Sequence, residues 1–313
     1  MLEYPASTGL FNMFENFKHE KIQTTDPEVV INLRYGGEGP PVLLLHGNPL
    51  THVHWHLVAP YLSQYYTLVI PDLRGYGDSS KPRGTKDHKN YSFRRMAQDQ
   101  VEVMSFLGFD EFFIAGHDRG ARVAHRMAID HPKAVQKLAI FDILPTHYVL
   151  NNTSWQSALN SYHWFFMAQP YDIPEKLIKG QEDYYILKKL TKMGIGKGGF
   201  TDAALAEYAR CCTPENIHAV CEDYRAGVGV DMQTDSADFE AGKKVSCPTA
   251  IYWGALSHTE KFFDPHIAWP QYCSNIQKMK KLECGHYPAE QVPDEVCNEL
   301  KDFFDPSCLD GFY

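Results

Sequence analysis

No apolar run in this 313-residue chain approaches the ~20 residues needed to span a bilayer, which excludes a transmembrane-helix protein. The opening stretch MLEYPASTGLFNMFENF lacks the basic flank and apolar core of a secretory signal, so a cytoplasmic location is expected. Cysteine is missing until Cys211; all eight lie from there onward, with none of the spacings of a metal site. Cys211 and Cys212 are adjacent and Cys284 stands two residues before a histidine, so reduced thiols are expected rather than a disulfide framework. Positive charge is also in deficit: 30 Lys and Arg against 39 Asp and Glu give a net charge of −9. That balance argues against nucleic acid or an anionic membrane as the main partner, and an anionic substrate would need local positive charge to enter. Internal repeats and low-complexity segments are absent, which excludes solenoids and disordered arrays. What remains, at 44% hydrophobic and 22% charged, is a soluble globular chain with room for one α/β domain plus an insertion.

Short continuous apolar runs mark strands buried on both faces. They occur at Pro41 to Leu45, Tyr66 to Ile70, Phe112 to Ala115, Lys137 to Ile143 and Thr249 to Gly254. Two further β segments, His19 to Thr24 and Val29 to Tyr35, flank a turn at Asp26-Pro27, and Ile276 to Leu282 follows the others. Helical patterns lie between them at Ser92 to Leu107 and Arg119 to His131, with a closing helix near Pro293 to Phe304. This alternation predicts an α/β fold, a mainly parallel sheet with helices on both faces. The rhythm breaks after Leu144. Residues 146–245 show helix formers, aromatic residues and a glycine-rich loop from Gly194 to Gly199, but no alternation. A stretch of about a hundred residues is too long for an ordinary connection, so a helical cap is predicted there. The core is then formed by residues 1–145 and 246–313.

Ligands of such sheets bind at the carboxyl ends of the strands. His46, Asp72, Asp118 and Asp142 all fall near such ends. Around Asp118 the chain reads strand, Gly116-x-Asp118-x-Gly120, helix, the layout of a nucleophile elbow with aspartate where serine is usual. A carboxylate is already ionised near neutral pH. Attack at an acyl carbon would give an anhydride, so it is better matched to a tetrahedral carbon bearing a leaving group, as in dehalogenation or epoxide opening. The structural alternative is an aspartate that caps the helix beginning at Arg119.

The segments HGNP (46–49), DLRGYGDSSKP (72–82), GHDRGAR (116–122) and CGHYP (284–288), in this order, resemble those of an α/β-hydrolase with an aspartate nucleophile. GHDRGARVAHRMAIDHP, together with YHW and DYRA in the cap, resembles the fluoroacetate (haloacetate) dehalogenase family over residues 15 to 305. The core motifs are shared with epoxide hydrolases and haloalkane dehalogenases; the second arginine and the cap motifs narrow the resemblance. It implies Asp118 as nucleophile, His286 as the base that activates water, and Asp142 as its acid partner, with Glu260 and Asp264 as fallbacks. It implies Arg119 and Arg122 as the fork for a substrate carboxylate, although a surface arginine is the ordinary alternative. His163, Trp164 and Tyr224 would donate to the departing halide, although an aromatic run in a cap is more often packing. The backbone N–H groups of Asn48 and Arg119 would form the oxyanion hole.

Two positions depart from the family pattern. Asn48 stands where fluoroacetate enzymes carry an aromatic residue; haloalkane dehalogenases have this asparagine, but their partner tryptophan is Arg119 here. A pocket tryptophan is also missing from Lys192-Met193-Gly194-Ile195-Gly196. The expected activity is hydrolysis of haloacetates, fluoroacetate to glycolate and fluoride, through an aspartyl ester, with no metal or organic cofactor. A small halogenated carboxylate is the expected partner, and the family implies a homodimer. The alternatives are an epoxide hydrolase, a dehalogenase preferring haloalkanes or chloroacetate, and a silent ligand-binding protein on the same scaffold.

Overall fold

Eight strands form one sheet in the order β1-β2-β4-β3-β5-β6-β7-β8 in the computed structural model, which describes residues 13–193 and 199–305, with backbone alone at 192 and 193. The strands are β1 (Lys18–Gln23), β2 (Val30–Gly36), β3 (Pro41–Leu45), β4 (Thr67–Pro71), β5 (Phe112–His117), β6 (Val135–Phe141), β7 (Thr249–Gly254) and β8 (Ile276–Leu282). Strand β2 runs antiparallel to both neighbours, and the strands from β4 across to β8 run parallel. The central strands are the continuous apolar runs: β4, β5 and β7 are buried along their whole length. Each leucine or valine so buried contributes ~1.5–3 kcal/mol over leaving it in water. The edges are handled differently. Lys18, His19, Glu20 and Lys21 stay exposed on β1, and β8 carries Lys278, Lys280 and Lys281, charges that discourage pairing with another chain.

A one-turn helix α1 (Ala59–Leu62) precedes β4, α2 (Phe93–Phe106) follows it, and α3 (Arg119–Asp130) follows β5. Ser92 stops the extended chain and starts α2 by accepting from the Arg95 N–H, the usual N-cap bond. After β7 come α12 (His258–Phe262) and α13 (Pro265–Ala268), then after β8 α14 (Pro288–Gln291) and α15 (Pro293–Phe304). The chain moves from β3 to β4 on one side and then crosses back to β5 on the other. The carboxyl ends of β3 and β5 are therefore the switch point at which a crevice opens.

Between β6 and β7 the described residues hold helices and no strand: α4 (Thr146–Asn151), α5 (Trp155–Asn160), α6 (Tyr162–Met167), α7 (Ile173–Ile178), α8 (Glu182–Met193), α9 (Asp202–Cys211), α10 (Pro214–Ala226) and α11 (Met232–Glu240). Buried polar links tie this segment to the helices and loop that flank the sheet. Asp231 accepts from the Phe93 N–H at 2.9 Å, Asn216 donates to Gly75 O at 2.9 Å, and Arg126 pairs with Asp238 at 2.7 Å. Within the glycine-rich stretch, residues 194–198 lie outside the described residues, and with them part of the position where a pocket tryptophan was sought. No helix among the described residues is long and apolar enough to cross a membrane.

Candidate active site

Asp118 sits at φ 50°, ψ −120°, a conformation that a non-glycine residue adopts only when its surroundings force it. Its side chain makes no capping bond to α3, so the helix-cap alternative does not hold. The elbow closes because its flanks are glycine. A Cβ on Gly120 would lie 2.3 Å from His46 O, and one on Gly116 would lie 2.7 Å from the backbone of Ala121. The turn thereby aims the Asp118 carboxylate at the loop after β3, where the Asn48 N–H donates to Oδ1 at 2.9 Å. Asn48 is half of the expected oxyanion hole; no hydrogen bond joins the Arg119 N–H to the carboxylate.

His286 follows β8, and its Nδ1 meets Asp142 Oδ2 at 2.5 Å. Asp142 lies just past β6 at φ 51°, with Oδ1 accepting from the Gly254 N–H at 3.0 Å and the Ser257 hydroxyl at 2.6 Å. Three hydrogen bonds satisfy this carboxylate, which makes its burial tolerable. The fallback acids are elsewhere. Glu260 accepts from Trp253 and Lys281, and Asp264 caps the turn at His266. On its other side His286 Nε2 stands 3.5 Å from Asp118 Oδ2, without hydrogen-bond alignment. Burial opposes the imidazolium, yet the two flanking carboxylates outweigh it and raise the His286 pKa to about 9. Burial likewise works against the Asp118 carboxylate, but His286, then His117 and Lys189, hold its pKa well below the ordinary value. Asp118 is thus an anion at any physiological pH.

The two arginines part company. Arg122 lines a cavity of about 170 Å³ together with Asp118, Asp142, His163, Trp164 and His286. Its Nη1 donates to Leu144 O at 2.9 Å and Thr146 Oγ1 at 2.8 Å, its Nε has no partner, and the Trp164 ring covers its guanidinium at 4.5 Å. Both partners are neutral. Burial, then the neighbouring Arg119, lowers its pKa to about 10, so it remains a cation. Arg119 does not line that cavity. Its Nε donates to Asp223 Oδ2 at 2.8 Å, its Nη2 takes Asp223 Oδ1 and O, and its guanidinium is sandwiched between Phe93 (4.6 Å) and Tyr224 (4.4 Å). Burial weakens this cation, but Asp223 more than compensates and raises its pKa. Of the two arginines expected to form a fork, Arg122 is thus bound to neutral partners and Arg119 is ion-paired through Nε and Nη2.

His163 and Trp164, on α6, line the cavity. Tyr224, on α10, packs edge-on to both, at 5.8 Å and 6.2 Å between ring centres, behind that wall. The three expected halide donors are thus brought together. A cavity of this size compares with one of ~150 Å³ that accommodates benzene, so the site suits a small substrate.

Three residues packed around Asn48 and Arg119 have no role predicted from the sequence. Tyr76 donates to Asp223 Oδ2 at 2.7 Å, and the Asn48 amide reaches the Tyr76 hydroxyl at 3.4 Å. Asp223 neutralises Arg119. Lys189, on α8, is buried and donates to Asn48 Oδ1, with its pKa pushed down to about 8, first by burial. A partial signal for Lys189 existed: it lies one helical turn (i, i+3) from Ile186, which is buried.

Comparison with known proteins agrees with this geometry. The family model of the α/β-hydrolase fold matches residues 40–183. A fluoroacetate dehalogenase of Burkholderia sp is 41% identical over 293 residues, 93% of this chain and 95% of that protein. A soluble epoxide hydrolase of Corynebacterium sp. strain C12 is 32% identical over 274 residues, 86% of this chain and 92% of that one. The crystal structure of a protein from Nostoc sp PCC 7120, provisionally named an α/β-hydrolase, superposes with a TM-score of 0.89 at 46% identity, covering 94% of this chain and 99% of its own. With an eight-stranded α/β-hydrolase sheet and this similarity along nearly its whole length, the chain belongs to the fluoroacetate/haloacetate dehalogenase family of the α/β-hydrolase superfamily.

Proposed function

We propose that this hydrolase cleaves the carbon–halogen bond of haloacetates, converting fluoroacetate to glycolate and fluoride through an ester on Asp118. The observation that carries this reading is Arg122: a buried guanidinium on the cavity wall whose hydrogen-bond partners are neutral oxygens. A buried cation with no carboxylate among its hydrogen-bond partners is costly, and a substrate that brings its own carboxylate relieves that cost. A neutral epoxide or chloroalkane would leave it unmet.

In the first step an Asp118 carboxylate oxygen attacks C2. The carbon–halogen pair leaves with the halide, and the new C–O bond makes a glycolate ester. His163, Trp164 and Tyr224 are the donors for the departing anion. In the second step His286 Nε2 takes a proton from water, and the hydroxide attacks Cγ of Asp118. The Asn48 N–H steadies the resulting oxyanion, and glycolate departs as the Cγ–O bond breaks, its alkoxide taking the proton held by His286 while the new Asp118 carboxyl ionises. Each turnover consumes one water and releases one proton. The electrostatics suit the sequence of steps. Alkylation removes the Asp118 charge, one of the two that hold His286 protonated, so the base is freed when water must be activated.

An epoxide hydrolase is the second reading, favoured by the Corynebacterium relative and by Tyr224 as a hydroxyl donor. The test is halide release from fluoroacetate, chloroacetate and 1-chlorobutane, with diol formation from styrene oxide measured alongside and Asp118→Asn as control. Release from the two acids alone, lost in the variant, is the expected result. Diol without halide would replace the proposal by the second reading.

A further inference from the structure

Lys189 is a buried ammonium, 5% exposed, and among the described residues its one hydrogen-bond partner is the neutral side-chain oxygen of Asn48. An ammonium has three protons to donate. Left with a single amide oxygen in the interior, it is destabilising unless another anion completes its shell during function. Its position says which anion. Asn48 is also the residue whose N–H holds Asp118 Oδ1, and Lys189 Nζ lies 5.8 Å from the centre of the Tyr224 ring, which packs against His163 and Trp164. The ammonium, which is not on the cavity wall, is therefore linked to the nucleophile through Asn48 and to the cluster of expected halide donors through Tyr224.

We infer that Lys189, held by Asn48, is the counter-cation of the departing halide and sets the preference for fluoride over heavier halides. This deepens, and rests on, the dehalogenase reading. The reaction handles two anions, and the two uncommitted cations divide them by shape. The planar fork of Arg122 matches a carboxylate, whereas an ammonium is a compact point charge suited to a small, hard, monatomic ion. Arg119 is already paired with Asp223 through Nε and Nη2. As the ester forms, negative charge leaves Asp118 and appears on the halide, so a cation facing both needs no reorganisation while the charge moves. Fluoride, the poorest leaving group with the most concentrated charge, gains most. The charged and titratable groups facing Lys189 are Asp118, Arg119, Asp223, Tyr224 from α10 and Cys212 from the end of α9. Burial, opposed by Asp118 and Asp223, leaves its pKa at about 8, so halide affinity declines above that pH.

The test compares wild type, Lys189→Met and Lys189→Arg. Bromide is titrated against the substrate-free protein at constant ionic strength, with saturable quenching of tryptophan fluorescence as readout, and kcat and KM are measured on fluoroacetate and bromoacetate. Lys189→Met is expected to weaken bromide binding about tenfold or more and to lower kcat on fluoroacetate on the order of a hundredfold, the loss typical of one transition-state donor. Bromoacetate should lose far less, KM should hardly move, and Lys189→Arg should recover most of the bromide affinity. Thermal stability of Lys189→Met should equal or exceed that of wild type, because an unpaired buried charge is removed. Unchanged bromide affinity, or an equal rise in KM on both substrates at constant kcat, would overturn the inference; the second result would make Lys189 a carboxylate ligand. If wild type releases halide from no haloacetate, the dehalogenase reading fails, while the bromide titration still decides whether Lys189 forms an anion seat.

Discussion

Removing Asp223 should be among the most damaging single changes in this protein, and for a reason that concerns Arg119 rather than Asp223 itself. The pair is fully enclosed, at 0% and 1% side-chain exposure, so solvent screening does not soften it. Asp223→Ala leaves the Arg119 guanidinium buried without a counter-charge, a situation that costs ~3–5 kcal/mol. It also strips the Tyr76 hydroxyl of its acceptor, a further ~1 kcal/mol. At roughly 2 °C per kcal/mol for a chain of this length, the melting temperature should fall by ~8–12 °C. Removing both charges in Arg119→Met/Asp223→Ala should recover most of that loss, because the expensive species is the orphaned cation. Urea denaturation followed by tryptophan fluorescence, with thermal melts alongside, measures all three variants. Additive losses in the double variant, or a cost below ~1 kcal/mol for Asp223→Ala, would refute the view that Arg119 is held as a structural clamp between α3 and α10.

Other outcomes follow from the same geometry. Arg122→Leu should raise KM for fluoroacetate by roughly 10- to 100-fold, the worth of charge-assisted hydrogen bonds to a carboxylate, and it should do so more than the Arg119/Asp223 double variant; steady-state kinetics checks it. Asp142→Asn should give a burst of one halide per active site followed by slow turnover, since on the proposed mechanism it disturbs the base and not the nucleophile; rapid-quench halide measurement separates the phases. The pH dependence has a definite sign. The His286 pKa is raised from 6.5 to about 9, so its contribution to stability is complete below pH 6.5 and is lost as pH rises through 9. The difference in unfolding free energy between wild type and His286→Gln should therefore shrink by roughly 3 kcal/mol across that window.

Much of the layout was legible because it is written in local chemistry. Continuous apolar runs announce β3 to β7, and the Gly-x-Asp-x-Gly turn announces an elbow whose flanking glycines are required by contacts as close as 2.3 Å. Asp142 could be singled out because a carboxylate ending an apolar strand must have partners, and three are present. What could not be read is which of two adjacent arginines is free. Arg119 and Arg122 are alike as residue types, and their fates differ only because α10, about a hundred residues later, lowers Asp223 onto one of them. The same holds for Lys189. A lysine on an amphipathic helix usually reaches water; the buried Ile186 one turn away hints that this one turns inward, but its seat on Asn48 depends on where α8 docks. The sheet order and the packing of Tyr224 behind the cavity wall are tertiary outcomes of the same kind.

The central claim is that Asp118 becomes covalently attached to the substrate. On the proposed mechanism His286→Gln keeps the nucleophile but lacks the base for the second step, so incubation with fluoroacetate and peptide mass analysis tests it most directly. The expected result is one carboxymethyl group gained on the peptide carrying Asp118, with one fluoride released per chain. Fluoride release by wild type that persists undiminished in Asp118→Asn, with no mass gain on that peptide in His286→Gln, would contradict it.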